Sequence, residues 1–305
     1  MGQIFSAGVA VKSYEREPDP ASLALDISLG NIVINEGSAE NKLYVSGGGL
    51  TEQIEIDNTL PIVITGTTEE YGIEVYGGTS NITLNNVSIK SSHKGEDGIN
   101  SGPIRLENDA MVNLNIEGEN NIEAIRVSSI DRNSVGIYVP SSSTLTIGGA
   151  GVLNVISDSG TAIGTQYYGG TINSVGAIII NSGTINAIGN DRGAGIGGAD
   201  LILVEINGGN VTAISNGTGA GIGGVAETSV TGEIRINGGT VYAQGGEMAA
   251  GIDGGGKYLS LCPESSYTTA PNIYVSDTAN VTAHSGIGYG EIAPEDIGNG
   301  GNCWP

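Results

Sequence analysis

Glycine contributes 52 of the 305 residues and aromatic residues only 5%, so any core must be built from small and aliphatic side chains. The 33 acidic and 11 basic residues give a net charge of −22, which argues against nucleic acid and anionic membrane surfaces as partners, because both require a basic footprint. No apolar run reaches the roughly 18 residues of a membrane-spanning helix, so no membrane insertion is expected.

The two ends of the chain differ in pattern from the region between them. Residues 1–22 contain the charged, proline-rich run 15–20 and predict an N-terminal arm or cap. They lack the basic leader of a secretory signal, so none is expected at this position. Residues 23–290 are predicted to form one continuous domain, and residues 291–305 a C-terminal tail or cap. Cys262 and Cys303 form either one disulfide that ties down this tail or two separate thiols.

Short runs of β-branched residues follow one another through the first half of the chain. Residues 62–66 and 73–77 predict two strands, and residues 81–89 predict a further one. Two later pairs of runs have the same spacing: the run that begins at Val112 follows the one at Ile104 by the same distance as the run at Leu145 follows the one at Ile137. The interruptions at 93–101 and 257–271 are expected to be side loops.

The second half contains an internal repeat with two parts. A strand-like segment occurs at 178–187, 204–213 and 234–243, and more loosely at 273–283. A glycine signature follows it, as Gly-Ala-Gly-Ile-Gly-Gly at 193–198 and 219–224 and as Ala-Ala-Gly-Ile-Asp-Gly at 249–254. Short strands at such a period, without amphipathic helices, indicate a solenoid. The sequence therefore predicts an all-β fold, a single right-handed parallel β-helix of roughly nine to eleven coils.

Stacked coils place equivalent residues in columns about 4.8 Å apart. Two inward aliphatic columns are predicted, Leu153–Ile185–Val211–Val241–Val281 and Ile163–Ile196–Ile222–Ile252. A narrow inward column is predicted at Ala187–Ala213–Ala243–Ala283, and an asparagine ladder at Asn181–Asn207–Asn237. Glycine is expected at the corners between strands, where positive φ angles are needed.

The segment 145–155, taken with the Gly-Ala-Gly-Ile-Gly-Gly copies, resembles the glycine-rich repeat regions of surface proteins from gut Firmicutes. It is also loosely similar to the bacterial β-helix family that binds pectin-like polymers with calcium. The resemblance covers about residues 23–290. It implies a surface location. The first hypothesis is therefore a non-enzymatic surface or particle-borne module for structural display and for adhesion to a polysaccharide or cell-surface glycan, with Ca²⁺ as the one possible cofactor. Members usually carry a signal peptide and wall-anchoring modules, and neither is recognised in this sequence. This difference from the family favours a second hypothesis, a virion component that assembles with other virion subunits or as a homotrimer.

The sequence is expected to be non-enzymatic. It lacks the Asn-Thr-Asp, Asp-Asp, Gly-His-Gly and Arg-Ile-Lys segments of polygalacturonase-like hydrolases. Its nearest pair of carboxylates, Glu96 and Asp97, lies in the first predicted side loop, and a glycosidase needs two carboxylates at a set separation. A polysaccharide lyase or hydrolase remains the third hypothesis.

Tyrosines and two aspartates are the candidate site residues. Aromatic rings with hydroxyl groups can hold sugars, and the predicted ligand-binding residues are Tyr167, Tyr168, Tyr242 and Tyr274. Asp158 and Asp191 each precede an isoleucine of the second inward column by five residues, so they are expected near one corner on successive coils, where a cation would relieve their repulsion. They are the predicted metal ligands.

Overall fold

The computed structural model describes residues 21–93, 102–126, 134–168, 171–172, 174–200, 203–226, 228, 231–255, 271–288 and 296–298. The fold of these residues is all-β, with one 3-10 helix, Ile27–Leu29, and no α-helix. Across the same residues there is no helix with the length and apolar character needed to cross a bilayer. Nearly all of the predicted N-terminal arm, most of the predicted C-terminal tail, both cysteines and the Glu96–Asp97 pair lie outside the described residues.

Twenty-eight short strands make up the described fold. The first fourteen are β1 Leu23–Asp26, β2 Ile32–Glu36, β3 Lys42–Gly47, β4 Ile54–Asp57, β5 Ile62–Thr68, β6 Ile73–Tyr76, β7 Thr79–Ser91, β8 Ile104–Glu107, β9 Met111–Glu117, β10 Glu119–Ala124, β11 Ile137–Tyr138, β12 Thr144–Gly149, β13 Val152–Ser157 and β14 Ile163–Gly164. The others are β15 Tyr167–Tyr168, β16 Thr171–Ile172, β17 Ala177–Ile180, β18 Thr184–Gly189, β19 Ile196–Gly198, β20 Leu203–Ile206, β21 Asn210–Ser215, β22 Ile222–Gly224, β23 Glu233–Ile236, β24 Thr240–Gln244, β25 Ile252–Asp253, β26 Asn272–Val275, β27 Asn280–His284 and β28 Ile297–Gly298.

Two large sheets contain nearly all of these strands. The long sheet has 15 strands, and two series of parallel strands meet in it at β7. The first series is β9, β12, β17, β20, β23 and β26, and the second series is β10, β13, β18, β21, β24 and β27. The short sheet has 11 strands and takes one parallel strand from each repeat. At its N-terminal edge β2, β3 and β4 pair antiparallel, an arrangement that the repeat did not predict.

We call the strands that one repeat contributes a rung. Successive rungs lie in register, and the predicted columns are confirmed: Leu153–Ile185–Val211–Val241–Val281, Ile163–Ile196–Ile222–Ile252 and Ala187–Ala213–Ala243–Ala283 pair residue by residue. In strands of the long sheet such as β21 and β24, alternate residues are buried, since successive side chains point to opposite faces of a strand. The core is thus a set of aliphatic stacks.

Asparagine ladders run along the outside of the long sheet and along the bends where its strands end. In the predicted ladder, Asn207 Nδ2 donates to Asn181 Oδ1 at 3.0 Å and Asn237 Nδ2 donates to Asn207 Oδ1 at 2.8 Å. Four further bonds of the same kind join Asn113 to Asn81, Asn154 to Asn121, Asn186 to Asn154 and Asn216 to Asn190. In every case the later rung donates and the earlier rung accepts.

The glycine signature has a role that differs from the predicted one. Gly197 and Gly223 lie inside strands β19 and β22, not at corners, and their φ angles are +135° and +133°. A Cβ on Gly197 would lie 2.1 Å from the carbonyl oxygen of Gly223. Glycine is therefore required in this column because the backbones of adjacent rungs approach too closely for any side chain.

Candidate functional site

A groove of about 710 Å³ lies at the corner between the second series and the short sheet. It is lined by Asp191, Ser215, Asn216, Gly217, Thr218, Gln244, Gly245, Gly246, Glu247, Gly286 and Ile287. We call it the corner groove. It spans four successive rungs, so its shape follows from the way in which those rungs stack.

Bare backbone forms the floor of the corner groove. A Cβ on Gly217 would lie 1.6 Å from the carbonyl oxygen of Asp191, and one on Gly246 would lie 2.0 Å from that of Gly217. The rungs are joined there by main-chain hydrogen bonds, for example from Thr218 N to Asp191 O at 2.7 Å. The glycines place no side chain above this backbone, so the groove is deepest there, and the longer side chains lie at its rim.

The rim combines hydrogen-bonding groups with one exposed apolar side chain. Asp191 and Glu247 supply carboxylates, Gln244 supplies an amide, and no basic residue lines the groove among the described residues. Ile287 is 84% exposed, which is unusual for an aliphatic side chain of this size. Carboxylates and amides that accept hydrogen bonds, placed beside an apolar contact, match a ligand that carries hydroxyl groups on an apolar frame.

Tyr242 is the predicted ligand residue that lies nearest this rim. Its hydroxyl donates to Gln244 Oε1 at 3.0 Å, and its ring meets that of His284 edge-on with centroids 5.6 Å apart. Tyr274 lies elsewhere, on the outer face of the first series, and is 53% exposed. Tyr167 and Tyr168 form β15, which pairs antiparallel with β16 in a separate two-stranded sheet. The four tyrosines thus occupy three separate strands, and only Tyr242 adjoins the groove.

Asp158 and Asp191 lie near one corner, on successive rungs. Asn190 Nδ2 donates to the carbonyl oxygen of Ser157 at 2.6 Å, which brings together the residues that precede the two aspartates. Asp191 lines the corner groove, while Asp158 lies on the side of Lys90. The hydrogen bond from Lys90 to Glu123, with the charges of Glu123, Glu69 and, least of these, Asp158, raises the pKa of Lys90. No group of three or more potential metal ligands occurs among the described residues, so a metal site at these aspartates stays a prediction.

A second concentration of titratable groups lies on the outer side of the short sheet. We call it the ionic cluster, and its members are Glu74, Tyr76, His93, Arg105, Glu107 and Tyr138. His93 Nε2 and Glu74 Oε1 lie 2.5 Å apart, and Arg105 Nη2 donates to Glu107 Oε1 at 2.5 Å. Arg105 is 1% exposed, with its guanidinium carbon 4.9 Å from the centre of the Tyr138 ring. Such a cluster rigidifies the sheet, because its largely buried charges are compensated by partners within the fold.

The environment of Glu74 makes the ionic cluster sensitive to acid. Burial alone would raise the pKa of the Glu74 carboxyl, but hydrogen bonds from His93 and Tyr76, with the charges of His93 and Arg105, hold it below its ordinary value. A lowered folded-state pKa means that Glu74 stabilises the fold above its ordinary pKa of about 4.3. That contribution is lost as the pH falls through the lowered value.

Glu74→Gln is therefore expected to lower the free energy of unfolding by about 1–3 kcal/mol at pH 7, since His93 and Arg105 lose a charged partner in a buried setting. The difference in melting temperature between wild type and variant should shrink when melting is followed by circular dichroism at pH 3.5. Glu52→Gln is the control, because Glu52 is exposed. Equal melting of the wild type and Glu74→Gln at pH 7 would show that the cluster does not stabilise the fold.

A family model described as a beta helix repeat matches three segments of the chain, residues 178–200, 204–224 and 234–256. Each segment spans one rung, with one strand from each series and one from the short sheet. The match and the parallel register together identify these repeats as β-helix repeats. No curated protein and no solved structure matches the chain.

Proposed function

We propose that this chain is a polysaccharide-binding module, displayed on a cell surface and built on a single right-handed parallel β-helix of nine coils. The nine parallel strands of the short sheet support the coil number. Parallel strands joined by crossover connections support the handedness, since such connections are right-handed in nearly all proteins. The resemblance of the glycine signature to repeats of Firmicutes surface proteins supports the location.

The corner groove is the observation that carries the proposal. Its rim offers the carboxylates of Asp191 and Glu247 to sugar hydroxyls, and the exposed Ile287 offers an apolar contact to the carbon face of a ring. A groove at a corner is accessible along the stacking direction, which suits a polymer better than a small molecule. The pair of carboxylates and the net charge of −22 repel uronates, so the preferred polymer is neutral.

Removing the two rim carboxylates should weaken binding without unfolding the protein. Asp191→Asn keeps a residue type that accepts the positive φ of 55° at this position. We expect Asp191→Asn/Glu247→Gln to lower affinity for a neutral polysaccharide at least tenfold, measured by affinity electrophoresis in gels that contain galactomannan, laminarin or mannan. Asp277→Asn, which removes an exposed carboxylate from the turn between β26 and β27, is the control and should bind as wild type.

Other outcomes would contradict the proposal or support an alternative function. Unchanged affinity in the double variant, or retardation by polygalacturonate alone and only with Ca²⁺, would contradict a neutral-glycan groove. Release of reducing ends or unsaturated uronates from any of these polymers would instead establish a hydrolase or a lyase. The role as a virion component remains a separate prediction, to be recognised by a stable homotrimer or by assembly with virion subunits.

A further inference from the structure

A second depression, of about 450 Å³, lies on the outer face of the first series, away from the corner groove. It is lined by Pro61, Asn81, Ile82, Thr83, Asn113, Leu114, Asn115, Thr146, Gly148, Gly149 and Asn181. No charged residue is among them. We call it the amide notch.

The amide notch exists because one side chain is missing from an outward column. Thr83, Asn115 and Gly148 pair in register on β7, β9 and β12, and Asn181 follows them on the next rung. A Cβ on Gly148 would meet only Ser182 Oγ, at 3.7 Å, so the glycine fills no tight space and simply leaves a gap. The gap separates Asn115 from Asn181 by two rungs, about 10 Å.

The ladder through Asn181, Asn207 and Asn237 stops at this gap. Every ladder bond runs from Nδ2 of a later rung to Oδ1 of the rung before it, so Asn181 Nδ2 would donate to position 148, where there is no side chain. Asn181 Oδ1 is already engaged by Asn207, and its Nδ2 has no hydrogen-bond partner among the described residues. On the other side, Asn115 Oδ1 faces the rung of Gly148, since it lies 2.8 Å from the place of a Cβ on Gly149. The notch therefore presents a donor and an acceptor on opposite walls.

We infer that the amide notch is a second carbohydrate site, which binds one neutral sugar unit through two of its hydroxyl groups. A hydroxyl can accept from Asn181 Nδ2, and another can donate to Asn115 Oδ1, so the sugar takes the place of the missing rung in the ladder. The lining contains no charged residue, which suits an uncharged ligand, and the Glu117 carboxylate outside it accepts from Asn85 and Asn115. This inference adds a site to the proposed function and does not depend on the corner groove.

Two sites on different walls would make the module bivalent. The corner groove opens between the second series and the short sheet, whereas the amide notch opens on the first series, so the two sites can bind different polymer strands. Bivalent modules bridge polymer chains and hold them with an avidity greater than the affinity of either site. The module would then cross-link a neutral polysaccharide at the surface.

Filling the gap tests the inference directly. Gly148→Asn should complete the ladder from Asn115 to Asn181, keep or raise the melting temperature, and weaken sugar binding at the notch at least tenfold. Binding is followed by the side-chain amide signals of Asn181 in ¹⁵N-labelled protein, identified by their loss in Asn181→Asp, during addition of the methyl glycosides of glucose, galactose and mannose. Ala177→Asn, which adds the same amide on β17 outside the notch lining, is the matched control.

The expected result is a shift of the Asn181 signals with at least one glycoside in the wild type and in Ala177→Asn, and at least a tenfold weaker response in Gly148→Asn. No shift with any of the three glycosides would overturn the inference, as would an undiminished shift in a folded Gly148→Asn. Asp191→Asn/Glu247→Gln should leave these signals responsive, so failure of the corner groove and failure of the notch are seen separately.

Discussion

Val211→Asp should abolish the cooperative melting of the repeats that surround it. Val211 is 1% exposed and stacks between Ile185 and Val241 in an aliphatic column. An aspartate there would bury a charge that has no partner, a change that costs more than about 4 kcal/mol. Because each rung is stabilised only by its neighbours, the loss should spread to the adjacent rungs. Circular dichroism during thermal melting measures it.

Thr212→Asp is the control for Val211→Asp. Thr212 is the next residue and points outward between Asn186 and Tyr242, so a charge there remains in contact with water. Its effect should stay within about 0.5 kcal/mol, as is usual for surface changes. If Val211→Asp kept a normal transition while Thr212→Asp lost it, the inward and outward faces of β21 would be the reverse of those described.

Gly197→Ala should destabilise the protein by at least about 3 kcal/mol. An alanine at φ +135° is strained by about 1–3 kcal/mol, and its Cβ would also lie 2.1 Å from the carbonyl oxygen of Gly223. The two rungs would have to move apart, which breaks their hydrogen bonds in the short sheet. A melting temperature lower by roughly 6 °C or more is the expected reading in calorimetry.

Gly148→Ala makes the same chemical change where the structure leaves room. The added Cβ meets only Ser182 Oγ at an ordinary distance, and the φ angle is not in the left-handed region. Its stability should be unchanged or higher by about 0.4–1 kcal/mol, since alanine restricts the unfolded chain. Similar melting of Gly197→Ala and Gly148→Ala would mean that the rungs are not packed as closely as described.

The core could be predicted from the sequence because its signal is repeated. Val211 and Ala213 alternate with polar neighbours, and the same alternation returns in every rung, so inward columns follow from the period of two and the repeat length together. The ladder through Asn207 was predictable for the same reason. The other asparagine ladders follow the same physics, but their members lie in less regular repeats, and they were missed.

The ionic cluster was not predicted, because its residues do not recur from one repeat to the next. Glu74, Arg105 and Tyr138 lie on three rungs in the column that later holds Gly164 and Gly197. The signal was present as an isoleucine followed by a large polar residue where other rungs have Ile-Gly. These charges are buried against residues of neighbouring rungs, so their burial could not be predicted from the local pattern.

The candidate site was only half predictable. Asp191 was singled out for its spacing before Ile196, and the structure places it on the rim of the corner groove. Glu247 and Ile287 share that rim because glycines let the corners of four successive rungs stack closely, which depends on backbone contacts between rungs. The amide notch exists because Gly148 places no side chain in its column. Such a gap can be recognised only when the register of β9, β12 and β17 is known.

The parallel, in-register stacking of rungs is tested most directly by distances between nitroxide labels along one outward column. With Cys262 and Cys303 replaced by serine, labels would be attached in pairs at Asn280 and one of Thr184, Val152 or Glu119, which share a column. Pulsed electron spin resonance should give backbone separations of about 14, 19 and 24 Å, rising by one rung of about 4.8 Å at each step. Distances that do not rise in even steps would contradict the stack, and with it both carbohydrate sites.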